Sequence, residues 1–215
     1  IRRLDWLAIT HGDLDHIGGA RAVLSDLRPR EIWEGVPVPR SRELQALRAD
    51  AGARGAAWRT LLAGAKLEIG DVVLEVLHPP PPEWERQKIR NDDSLVLRVL
   101  YDRVELLLTG DAGLEFEQRH PSATRPTPLR ILKVAHHGSR TSSSPAFLSS
   151  FRPQVALVSA GRGNLFGHPA ADVMARLSAI GADVFRTDRD AAVIVETNGK
   201  VVTLRAMTGR TLEMR

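Results

Sequence analysis

Short apolar runs alternate along the chain with stretches in which apolar residues recur at the helical period. This alternation is typical of α/β proteins and argues against a helical bundle or an all-β sandwich. The apolar runs predict strands at residues 4–10, 31–33, 72–77, 94–101, 104–109, 130–135, 155–159, 192–196 and 201–205. The helical pattern predicts helices at residues 15–26, 42–50, 113–120, 145–151 and 169–180.

Cap residues define the ends of two of these helices. Ser144 is a predicted N-cap because a proline follows it, and proline is favoured in the first turn. By the same rule, Pro169 is expected in the first turn of the last helix, and Gly181 is expected to end it.

Turn residues indicate that the sheet contains antiparallel as well as parallel pairs. Polar links at residues 101–103 and 197–199 predict hairpins, the second with an Asn-Gly turn. Residues 78–90 include four consecutive prolines, which cannot donate to a sheet, so they predict a loop. Residues 52–64, rich in Ala and Gly, are expected to be helix or loop. The whole chain, residues 1–215, is predicted to be one domain.

Composition changes this picture only slightly. The chain is 43% hydrophobic and 26% charged, and it has no apolar run long enough to span a membrane. The net charge is +4 and the Lys and Arg residues are scattered, so a polyanionic partner is permitted but not required. Cysteine is absent, which excludes disulfides and thiolate metal sites and leaves His, Asp, Glu and Asn as candidate ligands.

Candidate metal ligands are densest directly after the first predicted strand. His11, Asp13, Asp15 and His16 lie where that strand ends and the next helix begins. Open α/β folds place their ligands at such strand ends. A capping aspartate with incidental histidines would explain one or two of these residues but not the whole set. The pattern therefore favours a metal site.

Two later strands also end in candidate ligands. Asp111 follows the strand at 104–109, and a carboxylate there can bridge two cations. By itself, Gly-Asp after a strand is more often a turn or a helix cap, so the first cluster is what favours a ligand here. His136 and His137 follow the strand at 130–135; adjacent residues of an extended backbone point in different directions, which predicts different roles for the two histidines.

Two further polar segments lie next to strands. Residues 91–94 precede one strand and residues 164–169 follow another, and each could equally be a plain turn. His78 and His120 have no such neighbours and are expected to be structural or surface residues.

Residues 11–16 resemble the His-x-His-x-Asp-His motif of the metallo-β-lactamase superfamily, with Asp13 at the usual second histidine. With this substitution, the chain resembles the C-terminal hydrolase domain of ComEC-type competence proteins, the membrane channels for DNA internalisation. Further motifs of that subfamily occur here in order: Asn91-Asp92-Asp93-Ser94-Leu95-Val96, Thr109-Gly110-Asp111, Leu132 to Ser139, and Asn164-Leu165-Phe166-Gly167-His168-Pro169.

The resemblance implies an αββα sandwich of two packed sheets with helices outside. In this family strands usually precede the His-rich loop, so the N-terminal strands are expected to be lacking. The start of the chain is interpreted as a cut inside a larger membrane protein, with this domain on the extracytoplasmic face of the membrane. The membrane channel portion of the parent protein is the implied partner, and the oligomeric state stays unknown.

The resemblance also implies a ligand set for two divalent cations: His11, Asp13 and a bridging Asp111 for one, and Asp15, His16, His137 and Asp111 for the other. The implied catalytic residues are His136, Asp15 and His168. The implied substrate-binding residues are Ser139, Asn164, Asn91 and Ser94. Because Asp13 replaces an imidazole with a carboxylate, manganese is favoured over zinc or magnesium, both of which stay possible.

The leading functional hypothesis is a nuclease that degrades the non-imported strand of DNA through phosphate-directed contacts with single-stranded DNA. One alternative is a phosphodiesterase for a small molecule such as a choline-phosphate ester. Another is a catalytically idle module that binds DNA or docks to the channel.

Overall fold

Helices and strands alternate along the chain as the apolar pattern predicts, in a computed structural model that describes residues 2–120 and 128–215. The strands are β1 (Trp6–Ile9), β2 (Glu31–Glu34), β3 (Ala57–Thr60), β4 (Lys66–Ile69), β5 (Val72–His78), β6 (Val96–Tyr101), β7 (Val104–Leu108), β8 (Leu129–Lys133), β9 (Val155–Val158), β10 (Asp183–Arg186), β11 (Val193–Thr197), β12 (Val202–Ala206) and β13 (Thr211–Met214). The helices are α1 (Leu14–Ile17), α2 (Ala20–Leu27), α3 (Arg42–Ala53), α4 (Leu114–Arg119), α5 (Pro145–Phe151), α6 (Ala171–Ala179) and α7 (Thr187–Asp190). Short 3-10 turns span Asn91–Asp93 and Ala135–Gly138.

The chain forms two compact units, one of residues Ile1–Ala65 and Val76–Val96 and the other of residues Lys66–Glu75 and Leu97–Arg215. The expectation of a single hydrolase domain over residues 1–215 stays a prediction.

The first unit is built around a sheet of the order β1-β2-β3, in which both strand pairs are parallel. Parallel neighbours need crossover connections, and helices supply them here. Apolar side chains of β1, β2, α2 and α3 form its core, among them Ile9, Leu24, Ile32 and Leu47. Because the strands are parallel, their carboxyl ends lie at one edge, where the loop carrying His11 leaves β1.

The second unit contains most of a seven-stranded sheet of the order β10-β9-β8-β7-β6-β5-β4. The pairs β7–β8, β8–β9 and β9–β10 are parallel, while β6–β7 and β4–β5 are antiparallel. The loops that follow β7, β8 and β9 therefore emerge from the same edge of the sheet. Those loops carry Asp111, His136, His137 and His168.

A small antiparallel sheet, β11-β12-β13, completes the second unit. Buried apolar residues of this sheet, including Val202 and Leu204, share a core with Val104, Ile131 and Phe185 of the larger sheet. The predicted mixed α/β class and both predicted hairpins, β6–β7 and β11–β12, are confirmed.

Three predictions about the elements are wrong. The helix expected at residues 15–26 is two helices, α1 and α2, which are separated by Gly18 and Gly19. The segment 52–64 was expected to be helix or loop, but it contains strand β3, whose single large apolar residue, Trp58, gives little strand signal. Pro169 precedes the N-cap residue Ala170 and so lies outside the first turn of α6.

Other boundaries follow the prediction closely. The Ser144 hydroxyl accepts a hydrogen bond from the backbone N–H of Phe147, as an N-cap does. Gly181 has a φ of 73° directly after α6, in the left-handed conformation that ends helices. Among residues 2–120 and 128–215, no helix has both the length and the apolar character needed to cross a bilayer.

Candidate metal centre

The first group of candidate ligands lies in the loop after β1. His11 is buried, and its Nδ1 lies 3.2 Å from the hydroxyl oxygens of both Thr10 and Ser94. Its Nε2 lies 3.3 Å from a carboxylate oxygen of Asp13, which is the N-cap residue of α1. Two hydroxyls thus orient the His11 ring while its Nε2 faces Asp13.

His16 is oriented from the same strand end. Its Nδ1 lies 3.1 Å from the Thr10 hydroxyl, and its ring centroid is 4.2 Å from that of His11. Asp15 is exposed, with a carboxylate oxygen 3.8 Å from Nε2 of His16. Thr10 therefore contacts both imidazoles. Sequence reasoning missed Thr10, although a hydroxyl residue directly before His11 was a usable signal.

The loop also depends on a glycine. A Cβ atom at Gly12 would lie 2.8 Å from terminal carbons of both Ile89 and Leu44. Such a contact requires both side chains to move. Gly12 therefore lets the loop lie directly against the apolar side chains beneath it.

Residues 91–94 support His11 from a second segment of the same unit. Asp93 is buried and accepts two hydrogen bonds from the Arg86 guanidinium, at 2.7 and 2.9 Å. The backbone N–H of Leu95 donates to the Thr10 carbonyl at 2.8 Å. Ser94 is fully buried between these contacts, so its hydroxyl orients His11, while Asn91 is half-buried at the start of the 3-10 turn. Nothing in the sequence indicated Arg86.

Asp111 follows β7 in the second unit and is 3% exposed. Lys133, at the end of β8, donates from Nζ to the Gly110 carbonyl at 3.0 Å, and its Nζ lies 3.9 Å from an Asp111 carboxylate oxygen. The Thr109 hydroxyl donates to the Lys133 carbonyl at 2.6 Å. A carboxylate buried this deeply requires compensating positive charge, and Lys133 provides part of it.

His136 and His137 lie in a tight turn, not on the extended backbone that was predicted. Their φ angles are 50° and 54°, in the left-handed region that is costly for residues other than glycine, at about 1–3 kcal/mol each. The turn is packed against the start of α6: a Cβ at Gly138 would lie 2.5 Å from Cβ of Pro169. Strain of this kind concentrates at functional sites because the surrounding packing maintains it.

The hydrogen bonds of His137 determine which of its nitrogens can bind a metal. Its Nδ1 lies 2.8 Å from the backbone carbonyl of Ser159, and a carbonyl oxygen only accepts, so Nδ1 carries the proton. In the neutral ring Nε2 then carries the lone pair, and it lies 3.5 Å from a carboxylate oxygen of Asp111. Histidines that bind metals usually donate their other N–H to a carbonyl or carboxylate in this way.

His136 has different partners from His137. Its Nδ1 lies 3.3 Å from the Thr141 hydroxyl, which in turn lies 3.1 Å from the hydroxyl of the buried Ser139. Its Nε2 lies 3.9 Å from Asp111. Ser139 therefore contacts the support of His136, and Thr141 is a further functional candidate that sequence reasoning did not single out.

The loop holding Thr141 is fixed by a buried carboxylate. Glu117 of α4 accepts hydrogen bonds from the backbone N–H groups of Ser143 and Ser144. Arg176 of α6 donates to the carbonyls of Ser142 and Ser143 from the other side. This clamp maintains Ser143 at a φ of 57°.

His168 lies beside His136, with ring centroids 5.9 Å apart. Burial lowers the pKa of His168, and the nearby His136 and His137 lower it further. The side-chain amide of Asn164 makes its hydrogen bonds within its own loop. It donates to the carbonyls of Gly161 and His168 and accepts from the N–H of His168.

The two remaining histidines are structural, as expected. His78 is 2% exposed, and its Nε2 lies 2.5 Å from the Asp92 carbonyl. The ring of His120 packs on Phe116 at a centroid distance of 4.8 Å.

Residues 1–162 match the family described as the metallo-beta-lactamase superfamily. The chain belongs to this superfamily. The predicted resemblance is thus confirmed, and so is its mixed α/β sandwich fold with several sheets. Metallo-β-lactamase folds bind divalent metal ions. The ligands described above fit that role, because they offer imidazole nitrogens and carboxylate oxygens, with His137 in the tautomer a metal ligand needs.

Three curated relatives of this chain are ComEC-type competence proteins. The chain is 33% identical to ComE operon protein 3 of Bacillus subtilis over 94% of its own length and 26% of that protein. It is 33% identical to competence protein ComA of Neisseria gonorrhoeae over 90% of its length and 25% of that protein. It is 33% identical to recombination protein 2 of Haemophilus influenzae over 81% of its length and 20% of that protein. The chain thus spans about a quarter of the first two relatives and a fifth of the third, and the resemblance to ComEC-type proteins is confirmed.

Solved structures agree on the fold. The E377D mutant of CmlA β-hydroxylase aligns with 86% of this chain and 43% of its own, with a TM-score of 0.53 and 12% sequence identity. At that identity the likeness concerns the fold alone.

Proposed function

We propose that this chain is a metal-dependent phosphodiesterase domain that cleaves DNA during DNA uptake by a competence protein, and that it degrades the strand that is not imported. The observation that carries the proposal is the pairing of His137 with the buried Asp111. Its Nδ1 is committed to the Ser159 carbonyl, which leaves Nε2 as an electron-pair donor beside a carboxylate. The similarity to competence proteins supports DNA as the proposed substrate class.

In this proposal the cations are held by the ligand sets that the family resemblance implies: His11, Asp13 and Asp111 for one, and Asp15, His16, His137 and Asp111 for the other. When bound, such ions lower the pKa of a water molecule and neutralise charge on phosphoryl oxygens. Within the first unit, Thr10 and Ser94 orient the imidazoles for this purpose. Within the second, Lys133 and the Ser159 carbonyl orient Asp111 and His137.

His136 is the proposed proton donor to the leaving oxygen, or a contact to a phosphate oxygen. Its Nδ1 is supported by the Thr141 hydroxyl, which directs Nε2 towards Asp111. Burial lowers the pKa of His168, which favours its neutral ring, and His168 is proposed to hold a phosphate oxygen or a reactant water by hydrogen bonding. The exposed Asp15 carboxylate is proposed to accept a proton as well as bind a cation.

The proposed substrate-side residues act largely through the loops that they support. Ser139 supports Thr141, Asn164 closes the loop that carries His168, and Ser94 orients His11. Asn91 is half-buried at the end of its loop and is the proposed direct contact of this group.

Manganese is the proposed metal, because Asp13 makes the ligand set richer in oxygen than a histidine would. Metal-stripped protein titrated with each ion should give a higher rate with Mn²⁺ than with Zn²⁺ or Mg²⁺. A rate with Zn²⁺ equal to or above that with Mn²⁺ would contradict the assignment.

The implied partners are single-stranded DNA and the membrane channel portion of a parent protein, with this domain on the extracytoplasmic face. DNA contacts are expected to be phosphate-directed, so the logarithm of the binding constant should fall linearly with the logarithm of salt concentration. Binding that is independent of salt would contradict this mode.

The function is tested by comparing single-stranded DNA with a chromogenic phosphodiester as substrates. The proposal predicts metal-dependent cleavage of both. Cleavage of the small ester alone would identify a small-molecule phosphodiesterase, and DNA binding without metal uptake would identify a non-catalytic module. Either result would overturn the nuclease assignment.

A further inference from the structure

The loop between β9 and α6, residues 159–170, has a strongly apolar and exposed tip. Leu165 is 99% exposed and Phe166 is 81% exposed. Exposing two large apolar side chains to water is unfavourable, and a loop that only connects two elements does not require it. The tip is therefore a candidate contact surface.

This tip has a defined position, because the loop beneath it is closed by hydrogen bonds. The Asn164 amide donates to the carbonyls of Gly161 and His168 at 2.9 and 2.7 Å, and its oxygen accepts from the N–H of His168 at 2.9 Å. Gly163 and Gly167 adopt a φ of 67° on either side of Leu165 and Phe166. The loop thus brings its ends together below Phe166 and projects the tip outward.

A series of aromatic rings connects the tip to the candidate catalytic histidine of the same unit. Phe166 packs on His168 with ring centroids 5.9 Å apart and an angle of 20° between the rings. His168 in turn lies 5.9 Å from His136. The loop is joined to the His136 turn by a hydrogen bond from the N–H of Ala170 to the Gly138 carbonyl at 2.9 Å.

We propose that Phe166, with Leu165 beside it, is a stacking platform for a nucleobase of a single-stranded nucleic acid whose neighbouring phosphodiester reaches His136 and His168. The inference rests on the proposed function and adds a substrate-binding residue to the predicted set. An aromatic ring near a phosphate-binding site suits a flexible single strand, because every base has a face that can stack, whatever the sequence.

Charge in the same loop favours this occupant over an apolar protein surface. Arg162 is exposed, and its Nε donates to the Asp188 carbonyl at 3.4 Å, which places a cation four positions before Phe166. A positive group beside an aromatic ring is the combination that single-strand binding sites use for backbone and base. In duplex DNA the bases are stacked on each other and are not available to Phe166.

The test measures binding of single-stranded oligonucleotides that carry phosphorothioate linkages and 2-aminopurine, in the presence of Mn²⁺. Phe166→Ala should weaken binding by at least about fivefold, the lower end of what one base–aromatic stack contributes, and should reduce the quenching of 2-aminopurine. Phe166→Trp should restore both. Met207→Ala is the matched control, because Met207 is an apolar side chain of the same unit and is 70% exposed.

A second measurement separates this proposal from the proposed function. The ratio of kcat/KM for single-stranded DNA to that for bis(p-nitrophenyl) phosphate should fall in Phe166→Ala and not in Met207→Ala. Binding and quenching that are unchanged in Phe166→Ala would overturn the platform even if cleavage persists. Phe166-dependent binding without cleavage would keep the platform and overturn the nuclease.

The other possible occupant is a second copy of this chain. Sedimentation of wild-type protein and Phe166→Ala distinguishes this case. A wild-type dimer that becomes monomeric in Phe166→Ala, with unchanged affinity for DNA, would overturn the proposal. A monomer in both cases, together with weaker DNA binding by the variant, would support it.

Discussion

The two units present their candidate ligands in different ways. In the first unit they lie close together in sequence, at residues 11–16, and the hydroxyls of Thr10 and Ser94 orient the two histidines. In the second unit they come from the ends of separate parallel strands, and a backbone carbonyl orients His137.

The two units differ in how strictly the hydrogen-bond partners fix the tautomer of each histidine ligand. A hydroxyl can donate or accept, so the first-unit histidines can exchange tautomers. A carbonyl only accepts, so the tautomer of His137 is fixed before any metal arrives. Asp111 is also the more deeply buried carboxylate: it is 3% exposed, whereas the Asp15 carboxylate is exposed. We infer that the second unit contributes the larger share of metal affinity.

The largest expected effect comes from the fixed ligands. Asp111→Asn should lower Mn²⁺ affinity by more than about 100-fold, since even groups that only orient metal ligands contribute 10- to 100-fold. Isothermal titration calorimetry measures this. Asp71→Asn, at an exposed turn of the same unit, is the control. An equal affinity in Asp111→Asn would remove Asp111 from the ligand set.

The Arg86–Asp93 pair tests the support of the first unit. Arg86→Ala leaves a buried carboxylate without its bidentate partner and should lower the free energy of unfolding by about 2 kcal/mol or more. Urea denaturation provides the measurement. Arg86→Lys should recover only part of the loss, because an ammonium cannot make both hydrogen bonds in one plane. Full recovery would show that charge alone matters.

Thr10→Val tests how much the hydroxyl that orients the first-unit histidines contributes to metal affinity. It removes a hydroxyl that contacts both His11 and His16 while retaining a similar shape. Metal affinity should fall by about 10-fold, the lower end of the effect of such supporting groups. Thr208→Val, at an exposed turn, should leave it unchanged. A loss as large as that of Asp111→Asn would contradict the proposed ranking of the two units.

The smallest expected effect is the pH response of His168. Because burial lowers its pKa in the folded protein, the unfolded chain binds more protons between the folded and unfolded values. Its contribution to stability is thus present above the unfolded pKa and is lost as the pH falls through the folded one. NMR titration of metal-free protein should give a midpoint below that of an ordinary histidine. In His168→Gln, this part of the acid sensitivity should disappear, as measured by thermal unfolding against pH.

Much of the fold could be predicted because strands such as β9 are apolar throughout, as buried parallel strands require. Strand β3 was missed because only Trp58 carries a strand signal there. The break between α1 and α2 depends on local backbone geometry at Gly18 and Gly19, which helical periodicity does not report.

In the candidate site, too, some residues could be predicted from the sequence and others could not. The dense loop at residues 11–16 could be found by eye, and so could the strand-end residues Asp111 and His137. The groups that orient them could not: Arg86 lies in a loop without periodicity, and the support of His137 is a backbone carbonyl that has no sequence signal. The left-handed turn at His136 leads into Gly138, whose close approach to Pro169 is a contact between distant parts of the chain.

We propose that this member of the metallo-β-lactamase superfamily is a metal-dependent nuclease. The most direct test measures cleavage of single-stranded DNA by wild-type protein and by Asp111→Ala, each with Mn²⁺ and with EDTA. Cleavage is expected only by the wild type and only with metal. Equal cleavage by both proteins, or cleavage that persists in EDTA, would contradict it.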